Sequence, residues 1–316
     1  RRGSVSFGGR GSICVDFPLW KGKPVCPHCG SERVYRLSNG KQFKCGNKKT
    51  CDKKFTFMVG SIFENTKIPL QKWIAAIYIL TQHKKGISSL QLSRDLGITQ
   101  KSAWFMAHRI RKMVTNKKKP VLSNNVMIDE TYVGGKAKNK SKFKRKQIFE
   151  GLATNDKAPV LGLLEENGEA MLIVMKDATM DSVLPLIDMH VTDNSVIVTD
   201  SSSIYLTLKD NAKYGGHITV NHTEREYVNG DYTTNPVESF FACLKRSIYG
   251  IYHQVSVKHL QRYCEETMYR YNSRRLNVPE RFDKCFNDMT GHMRYIDLIE
   301  KDVASNNGKK DRKKSS

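Results

Sequence analysis

Two short apolar stretches decide the fold: Asn125-Val-Met-Ile-Asp129-Glu-Thr-Tyr-Val133 and Ser195-Val-Ile-Val-Thr-Asp200. Both are rich in apolar and β-branched residues, which is typical of buried strands. Asp129 follows the apolar residues of the first stretch, and Asp200 ends the second. Strands of an open α/β sheet deliver such side chains to one edge, although an Asp after a strand is also a common turn former. The pattern therefore predicts an α/β fold with two carboxylates at a sheet edge.

A third acidic candidate opens a long helical region. The residues Asn235-Pro-Val-Glu238 begin a stretch that is mostly helical to about Arg275, with a break at Gly250. Asn235 is a good N-cap and Glu238 then falls at the capping-box position, which by itself would explain the acid. Lys245 lies seven residues after Glu238, so both share one helix face. A capping role and a catalytic role for Glu238 both stay open on this evidence.

The sequence around these candidates predicts further elements of an α/β domain. We expect a hairpin of strands at Pro159–Leu164 and Ala170–Met175, since Gly and Asn stand between two apolar runs. Met180–His190 has the pattern of an amphipathic helix. A helix is expected near Tyr205–Lys209 and a further strand near His217–Val220. Gly134–Lys146 is predicted to be a basic loop.

Charge is distributed very unevenly along the 316 residues. Residues 1–124 carry 25 basic and 5 acidic side chains, whereas the remaining residues carry 28 and 26. A strongly basic module joined to a balanced body indicates a polyanionic partner, most often nucleic acid. With 39% hydrophobic residues the chain is globular, and no apolar run approaches the roughly 18 residues of a membrane span. These features exclude a disordered chain and predict no membrane partner.

The basic module begins with a cysteine cluster in residues 21–60. The spacing is C-x2-C, fifteen residues, then C-x5-C, which suits four thiolates around one structural Zn²⁺. Cys14 and His28 are alternative ligands. The predicted ligands are Cys26, Cys29, Cys45 and Cys51.

Residues 66–116 predict a helix-turn-helix module that binds DNA. Helices are expected at Ser88–Leu96 and Thr99–Val114, with a turn at Gly97. Ser88 or Ser89 is the expected cap of the first helix, and Thr99 that of the second. The second helix of such a pair enters the major groove, although many helical hairpins bind nothing. Side chains expected to be exposed for DNA contact are Gln100, Lys101, Trp104, His108 and Arg111. Phosphate contacts are expected from Lys117, Lys118 and Lys119.

Several motifs together resemble one protein family. They are Asp129-Glu-Thr-Tyr-Val-Gly-Gly135, Val198-Thr-Asp200, Val220-Asn-His222, Glu226-Tyr-Val-Asn-Gly230, Thr234-Asn-Pro-Val-Glu238-Ser-Phe-Phe with Leu244-Lys-Arg246, and Tyr252-His-Gln-Val with Arg262-Tyr263. The chain resembles insertion-sequence transposases that have an N-terminal zinc ribbon and a DDE-type core, the ISXO2-like and Merlin group. The resemblance extends over about residues 14–283.

The resemblance implies a ribonuclease-H-like catalytic core, here residues 122–290, with two Mg²⁺ or Mn²⁺ ions. Asp129, Asp200 and Glu238 match its three metal-binding catalytic positions, and Lys245 matches a basic residue seven positions after the third. Part of the family has Asn at the third position, which makes Asn235 the alternative; a carboxylate is the better Mg²⁺ ligand. Glu130 is expected on the opposite face of its strand.

The implied activity is DNA cleavage and strand transfer. The protein would bind the element's terminal inverted repeats and target DNA as a homodimer or larger assembly, in the bacterial cytoplasm and nucleoid or in a eukaryotic nucleus. A catalytically inactive DNA-binding relative and a plain metal-dependent nuclease are the alternatives. Residues 1–20 and the basic tail 303–316 are expected to be flexible. Further candidate DNA contacts, or simple packing residues, are Arg246, Tyr252, His253, Lys258 and Arg262.

Overall fold

The computed structural model describes residues 23–115, 119–135, 141–149, 157–209, 211–220, 232–286, 289 and 291–300. The chain divides into two compact units. The first comprises Arg1–Leu80, Leu92–Met113 and Pro279–Ser316, and the second comprises Thr81–Gln91 and Val114–Val278. The predictions for residues 1–20, for Cys14, for Lys117 and Lys118, and for the tail 303–316 fall outside the described residues.

A small antiparallel sheet forms the cysteine-rich part of the first unit. Its strands are β1 (Val34–Arg36), β2 (Phe43–Cys45) and β3 (Lys54–Phe55), paired in that order. The rings of Phe43 and Phe55 stack 5.8 Å apart beside the buried cysteines. A core this small gives little hydrophobic stabilisation, so the sheet needs another source of stability.

Three helices follow: α1 (Leu70–Gln82), α2 (Ser89–Leu96) and α3 (Gln100–Val114). Gly97 has a φ of +57° and turns the chain between α2 and α3, as predicted. The Thr99 hydroxyl accepts a hydrogen bond of 3.2 Å from the Ser102 amide, so the predicted cap is also confirmed. The two helices and their turn therefore form where the sequence places them.

The side chain of Arg109 joins helix α3 to two other segments of the first unit. The guanidinium of Arg109 is buried and donates to the carbonyl oxygens of Ile62, Glu64 and Met293 at 2.8–2.9 Å. These bonds join α3 to the segment after the small sheet and to the segment before α9 (Tyr295–Ile299). Helix α8 (Val278–Cys285) precedes that last segment.

The second unit contains a five-stranded sheet of order β6-β5-β4-β7-β8. The first three strands in chain order pair antiparallel, and β7 and β8 are added parallel to β4. The strands are β4 (Asn125–Val133), β5 (Ala158–Glu165), β6 (Ala170–Val174), β7 (Val196–Asp200) and β8 (Gly216–Val220).

Helices cover this sheet. Seven of the eight residues of β5 are buried, and since alternate residues point to opposite sides, both faces of the sheet are covered there. The apolar core joins the sheet to residues of three helices, such as Ile187, Phe241 and Cys264. The helices of this unit are α4 (Lys142–Phe149), α5 (Met180–His190), α6 (Asn235–Ser247), a π-helical turn (Ile248–Tyr252) and α7 (Val257–Asn272).

Most predicted elements of the second unit are confirmed, and two differ. The hairpin and helix α5 lie where the pattern places them. The prediction that Gly134–Lys146 is entirely loop is wrong, because α4 begins at Lys142, in a stretch without Gly or Pro that is rich in helix-forming Lys, Arg and Gln. The helix predicted near Tyr205–Lys209 is a 3-10 helix at Ser203–Leu208.

No helix among the described residues combines the length and the apolar character that crossing a membrane requires.

Candidate functional site

The register of the large sheet brings Asp129 and Asp200 to the same level. Strands β4 and β7 pair in parallel with Met127 beside Val198, and two residues further along both strands stand Asp129 and Asp200. Strand β7 ends at Asp200, whereas β4 continues to Val133 as the antiparallel partner of β5. Asp129 therefore lies within β4 and not at its end, but at the edge where the parallel part of the sheet stops.

Helix α6 lies against the face of the sheet on which Asp129 stands. Gly162 of β5 is directly opposite Asp129, and opposite residues of an antiparallel pair share a face. A side chain at Gly162 would begin 2.6 Å from the Phe241 ring and 3.1 Å from Val237, both on α6. The glycine thus lets the helix that carries Glu238 approach the strand next to Asp129. A lone glycine in an apolar strand is a signal of close approach, and it is present in the sequence.

The electrostatics of Asp129 indicate a cluster of acids. Partial burial is the main cause that raises the pKa of Asp129 to about 7, and the negative charges of Asp200, Glu130 and Glu238 contribute to this increase. The Glu130 amide, which donates a hydrogen bond to the Asp129 carboxylate, opposes it. The charges of the other two predicted carboxylates therefore both act on Asp129, and a bound cation would relieve this repulsion. Carboxylate oxygens are the ligands that Mg²⁺ prefers, so the donor set fits the implied ion.

The start of α6 differs from the prediction in a way that bears on Glu238. The N-cap of α6 is the buried Thr234, not Asn235, which is already the first helical residue. Glu238 is consequently the fourth helical residue and not at the third, capping-box position. The capping-box position predicted for Glu238 is therefore wrong by one residue, and Val237 occupies that position instead.

Glu130 has its own partner beside the cluster. The hydroxyl of the fully buried Tyr205 donates to the Glu130 carboxylate at 2.6 Å. Burial raises the pKa of Glu130, and the negative charge of Asp200 raises it as well. The hydrogen bond from Tyr205 acts in the opposite direction and lowers this pKa. Sequence reasoning did not identify Tyr205, since no pattern links residues 75 positions apart. Its hydroxyl fixes an acid that borders the predicted site.

The cysteine cluster forms the tightest candidate metal centre. Within the described part of the chain, Cys26, Cys29, Cys45 and Cys51 form the group of three or more possible ligands whose ligand atoms all lie within 4.8 Å of one another. The Cys26–Cys51 and Cys29–Cys45 sulfur distances are 3.7 and 3.6 Å. A tetrahedral ion with Zn–S bonds of about 2.3 Å requires edges of about 3.8 Å. The quartet fits a structural Zn²⁺, with all four positions filled by protein.

Backbone hydrogen bonds shape the turn that carries the first two cysteines and favour the thiolate form of Cys26. Gly30 has a φ of +72°, and its amide donates to the Cys26 carbonyl to close the turn that carries Cys26 and Cys29. Burial tends to raise the pKa of Cys26, but the His28 and Cys29 amides and the neighbouring thiols lower it to about 7. His28 itself is exposed, with its ring edge toward Phe55, so it is not part of the quartet.

Comparison with known proteins agrees with this architecture. Residues 18–54 match a transposase zinc-ribbon domain, and residues 121–272 match the ISXO2-like transposase domain. The chain is 29% identical over 234 residues to a Halobacterium salinarum protein described as an uncharacterized protein in transposable element ISH50. That alignment covers 72% of this chain and 78% of the relative.

The chain carries the two domains of an ISXO2-like insertion-sequence transposase. The family resemblance predicted from the sequence motifs is thereby confirmed. The ISXO2-like domain contains the five-stranded sheet and all three predicted carboxylates, and the zinc-ribbon domain contains all but the last residues of the small sheet together with the cysteine quartet.

Of the α3 side chains predicted to contact DNA, some are exposed and others are buried. Gln100 and Lys101 are exposed at the start of α3, and the Lys101 ammonium lies 4.6 Å from the ring centre of Tyr295. The expectation that His108 and Arg111 are exposed is wrong, because they are 0% and 2% exposed. From Met106 onward α3 is buried on most sides, whereas a helical pattern read from sequence assumes one open face. Trp104 is half-buried, with its ring 4.4 Å from that of His108.

Other predicted DNA contacts have partners within the second unit. Lys119 forms an ion pair with Glu265, and the Tyr252 hydroxyl donates to Glu266 at 2.7 Å. Arg262 lies 3.1 Å from His259 in α7. The exposed members of this set are Arg246, His253 and Lys258.

Proposed function

We propose that this chain binds the terminal inverted repeats of its own element and catalyses metal-dependent cleavage and strand transfer of DNA. The observation that carries the proposal is the register that aligns Asp129 with Asp200, next to a helix whose Glu238 charge acts on Asp129. The sheet order, with three antiparallel strands followed by two parallel ones, supports a ribonuclease-H-like catalytic core.

In this proposal Asp129, Asp200 and Glu238 hold two Mg²⁺ or Mn²⁺ ions. Such ions, when bound, activate the attacking oxygen and stabilise the leaving oxygen of a phosphodiester. We assign Glu238 rather than Asn235 as the third ligand, because the charge of Glu238 acts on Asp129 and a carboxylate is the better Mg²⁺ ligand. Lys245, two helical turns after Glu238, binds a DNA phosphate and so positions the strand.

The proposed chemistry consists of two displacements at phosphorus. In the first, water attacks a phosphodiester at the element's end, one P–O bond forms, and the bond to the 3′ oxygen breaks to leave a 3′-hydroxyl. In the second, that hydroxyl attacks a phosphodiester of the target DNA and displaces another 3′ oxygen. Each step makes and breaks one P–O bond, so no covalent enzyme intermediate is needed.

Recognition of the element's ends is assigned to the basic first module. Its zinc ribbon and the start of α3, with Gln100 and Lys101 exposed, supply the surface for DNA. Because two ends must be held together for strand transfer, we propose a homodimer or larger assembly on DNA.

The direct test compares the wild type with Asp200→Ala on a labelled duplex carrying the element's own ends, with Mg²⁺. Asp193→Ala is the matched control, since Asp193 is an exposed acid just before β7 whereas Asp200 ends the same strand. We expect the wild type and Asp193→Ala to nick and join DNA, and Asp200→Ala to bind without cutting, with activity lowered at least about a thousandfold.

Other outcomes separate the alternatives. Nicking without joined product indicates a plain nuclease. Equal binding by all three proteins without any cleavage indicates a DNA-binding relative with a silent core. Strand transfer that survives Asp200→Ala removes the catalytic assignment of that residue.

A further inference from the structure

A cavity of about 490 Å³ opens in the second unit beside the end of helix α6. Three of its six lining residues are basic, and none is acidic. The lining residues are Lys85, Lys245, Arg246, Tyr249, Gly250 and Ile251. Like charges gathered around one space repel one another, and a bound anion relieves that repulsion.

Lys85 reaches this cavity from a distant part of the sequence. It belongs to the loop between α1 and α2, which is part of the second unit. The next residue, Gly86, is buried and has a φ of +88°. A side chain there would collide with the Tyr252 hydroxyl and would begin 2.7 Å from the Arg270 guanidinium. The loop therefore packs closely against the π-helical turn and α7. This packing places Lys85 at the wall of the cavity.

Tyr249, another lining residue of the cavity, is also held in place. The Tyr249 hydroxyl donates to the Gly134 carbonyl at 3.2 Å and accepts from the Gly134 amide at 3.4 Å. Gly134 directly follows β4, the strand that carries Asp129. Tyr249 thus ties the turn after α6 to the strand of the candidate active site, so the cavity is attached to both catalytic elements.

The combination of three cations with an aromatic and an aliphatic wall fits one chemical class. Phosphate oxygens suit the lysine and arginine groups, and the deoxyribose that follows each phosphate suits the faces of Tyr249 and Ile251. We propose that this cavity binds a backbone phosphodiester of the DNA that is held at the active site, with Lys85 as a contact. The inference rests on the proposed function, since it specifies where that site holds its DNA.

Lys84 provides a matched control for Lys85. Both lysines are exposed and adjacent in one loop, but only Lys85 lines the cavity. A general attraction of the basic protein for DNA would affect Lys84 and Lys85 equally. A specific phosphate site in the cavity would affect Lys85 and not Lys84.

The first experiment measures lysine acetylation rates by mass spectrometry on the wild-type chain, with and without a short DNA duplex and without added divalent metal. We expect DNA to slow acetylation of Lys85 and Lys245 several-fold while Lys84 changes little. Equal protection of Lys84 and Lys85, or no protection of Lys85, overturns the proposal.

The second experiment measures DNA binding against salt concentration for Lys85→Gln and Lys84→Gln, after thermal melting has shown that both are folded. Removing one phosphate-binding cation lowers the slope of log K against log salt by about 0.9 in duplex DNA. We expect that decrease for Lys85→Gln and an unchanged slope for Lys84→Gln; identical slopes contradict the site. Because neither experiment needs cleavage, its result is independent of the Asp200→Ala test.

Discussion

Ionisation of the Asp129 carboxyl group is unfavourable in the folded protein. Its pKa of about 7 lies well above the ordinary value of 3.8 because the group is buried and three acids act on it. The folded state therefore retains a proton that the unfolded chain has lost between about pH 4 and 7. Folding stability consequently falls as the pH rises through this range and stays low above it.

Replacing the acid by its neutral isostere should remove this penalty. Without added divalent metal, we expect Asp129→Asn to melt about 5 °C above the wild type at pH 8, with a smaller gain at pH 5. Added Mg²⁺ should raise the melting temperature of the wild type and narrow the difference. The measurement is thermal unfolding of the zinc-loaded protein at both pH values.

Asp188→Asn is the control of opposite sign. The hydrogen bonds from Lys213 and then Tyr214 lower the pKa of Asp188, so its charge stabilises the folded state at neutral pH. We expect this variant to melt below the wild type at pH 8. If Asp129→Asn also melts below the wild type at pH 8, the ionised Asp129 carboxylate does not destabilise the folded protein as proposed.

At the scale of elements, the approach of α6 to the sheet depends on one glycine. A Cβ at residue 162 would begin 2.6 Å from two ring carbons of Phe241, so the helix or the ring must move. Overpacking of this kind costs about 1–3 kcal/mol, and a shift of about 1 Å at a catalytic group can lower rates a hundredfold. We expect Gly162→Ala to lower cleavage at least about tenfold while DNA binding is unchanged.

The strand glycine Gly216 supplies the comparison. A Cβ at Gly216 meets no atom within 4 Å, so Gly216→Ala should leave cleavage as it is. In the double variant Gly162→Ala with Phe241→Leu, the smaller side chain at residue 241 leaves room for the added methyl group. We expect this variant to recover part of the cleavage activity. Equal activity of both alanine variants would show that the distance between α6 and β5 does not limit catalysis.

Elements set by local signals could be predicted from the sequence. Gly97 and Thr99 mark the turn and the cap before α3, and the Asn-Gly pair at residues 167 and 168 marks the hairpin between β5 and β6. These features depend on the intrinsic preferences of a few adjacent residues. The alignment of Asp129 with Asp200 also follows from two strands in which an acid comes directly after a run of apolar or β-branched residues.

Features set by distant partners could not be predicted. The Glu130–Tyr205 hydrogen bond joins segments that nothing in the sequence pairs. His108 and Arg111 are buried because other segments of the chain enclose α3, which a single helical pattern cannot show. Thr234 replaces Asn235 as the cap although Asn is the better capping residue, since tertiary packing decides where the helix begins.

At the scale of the whole molecule, the two units differ in what stabilises them. The second unit has an apolar core that spans its five strands and three of its helices. The small sheet of the first unit has a core of two phenylalanines and the cysteines. Because the quartet has the spacing of a tetrahedral zinc site, we expect metal binding to supply the folding free energy that this core lacks.

Removing one zinc ligand should therefore unfold the small sheet and leave the large one intact. We expect Cys45→Ser to lose the single zinc of the wild type in elemental analysis and to become sensitive to protease within residues 23–60. Cys243→Ser is the control, since Cys243 lies on α6 outside the quartet and should keep its zinc. The large sheet should remain protected in both variants because its core does not include the ribbon. A Cys45→Ser protein that retains both zinc and a protease-resistant ribbon would show that other ligands hold the metal.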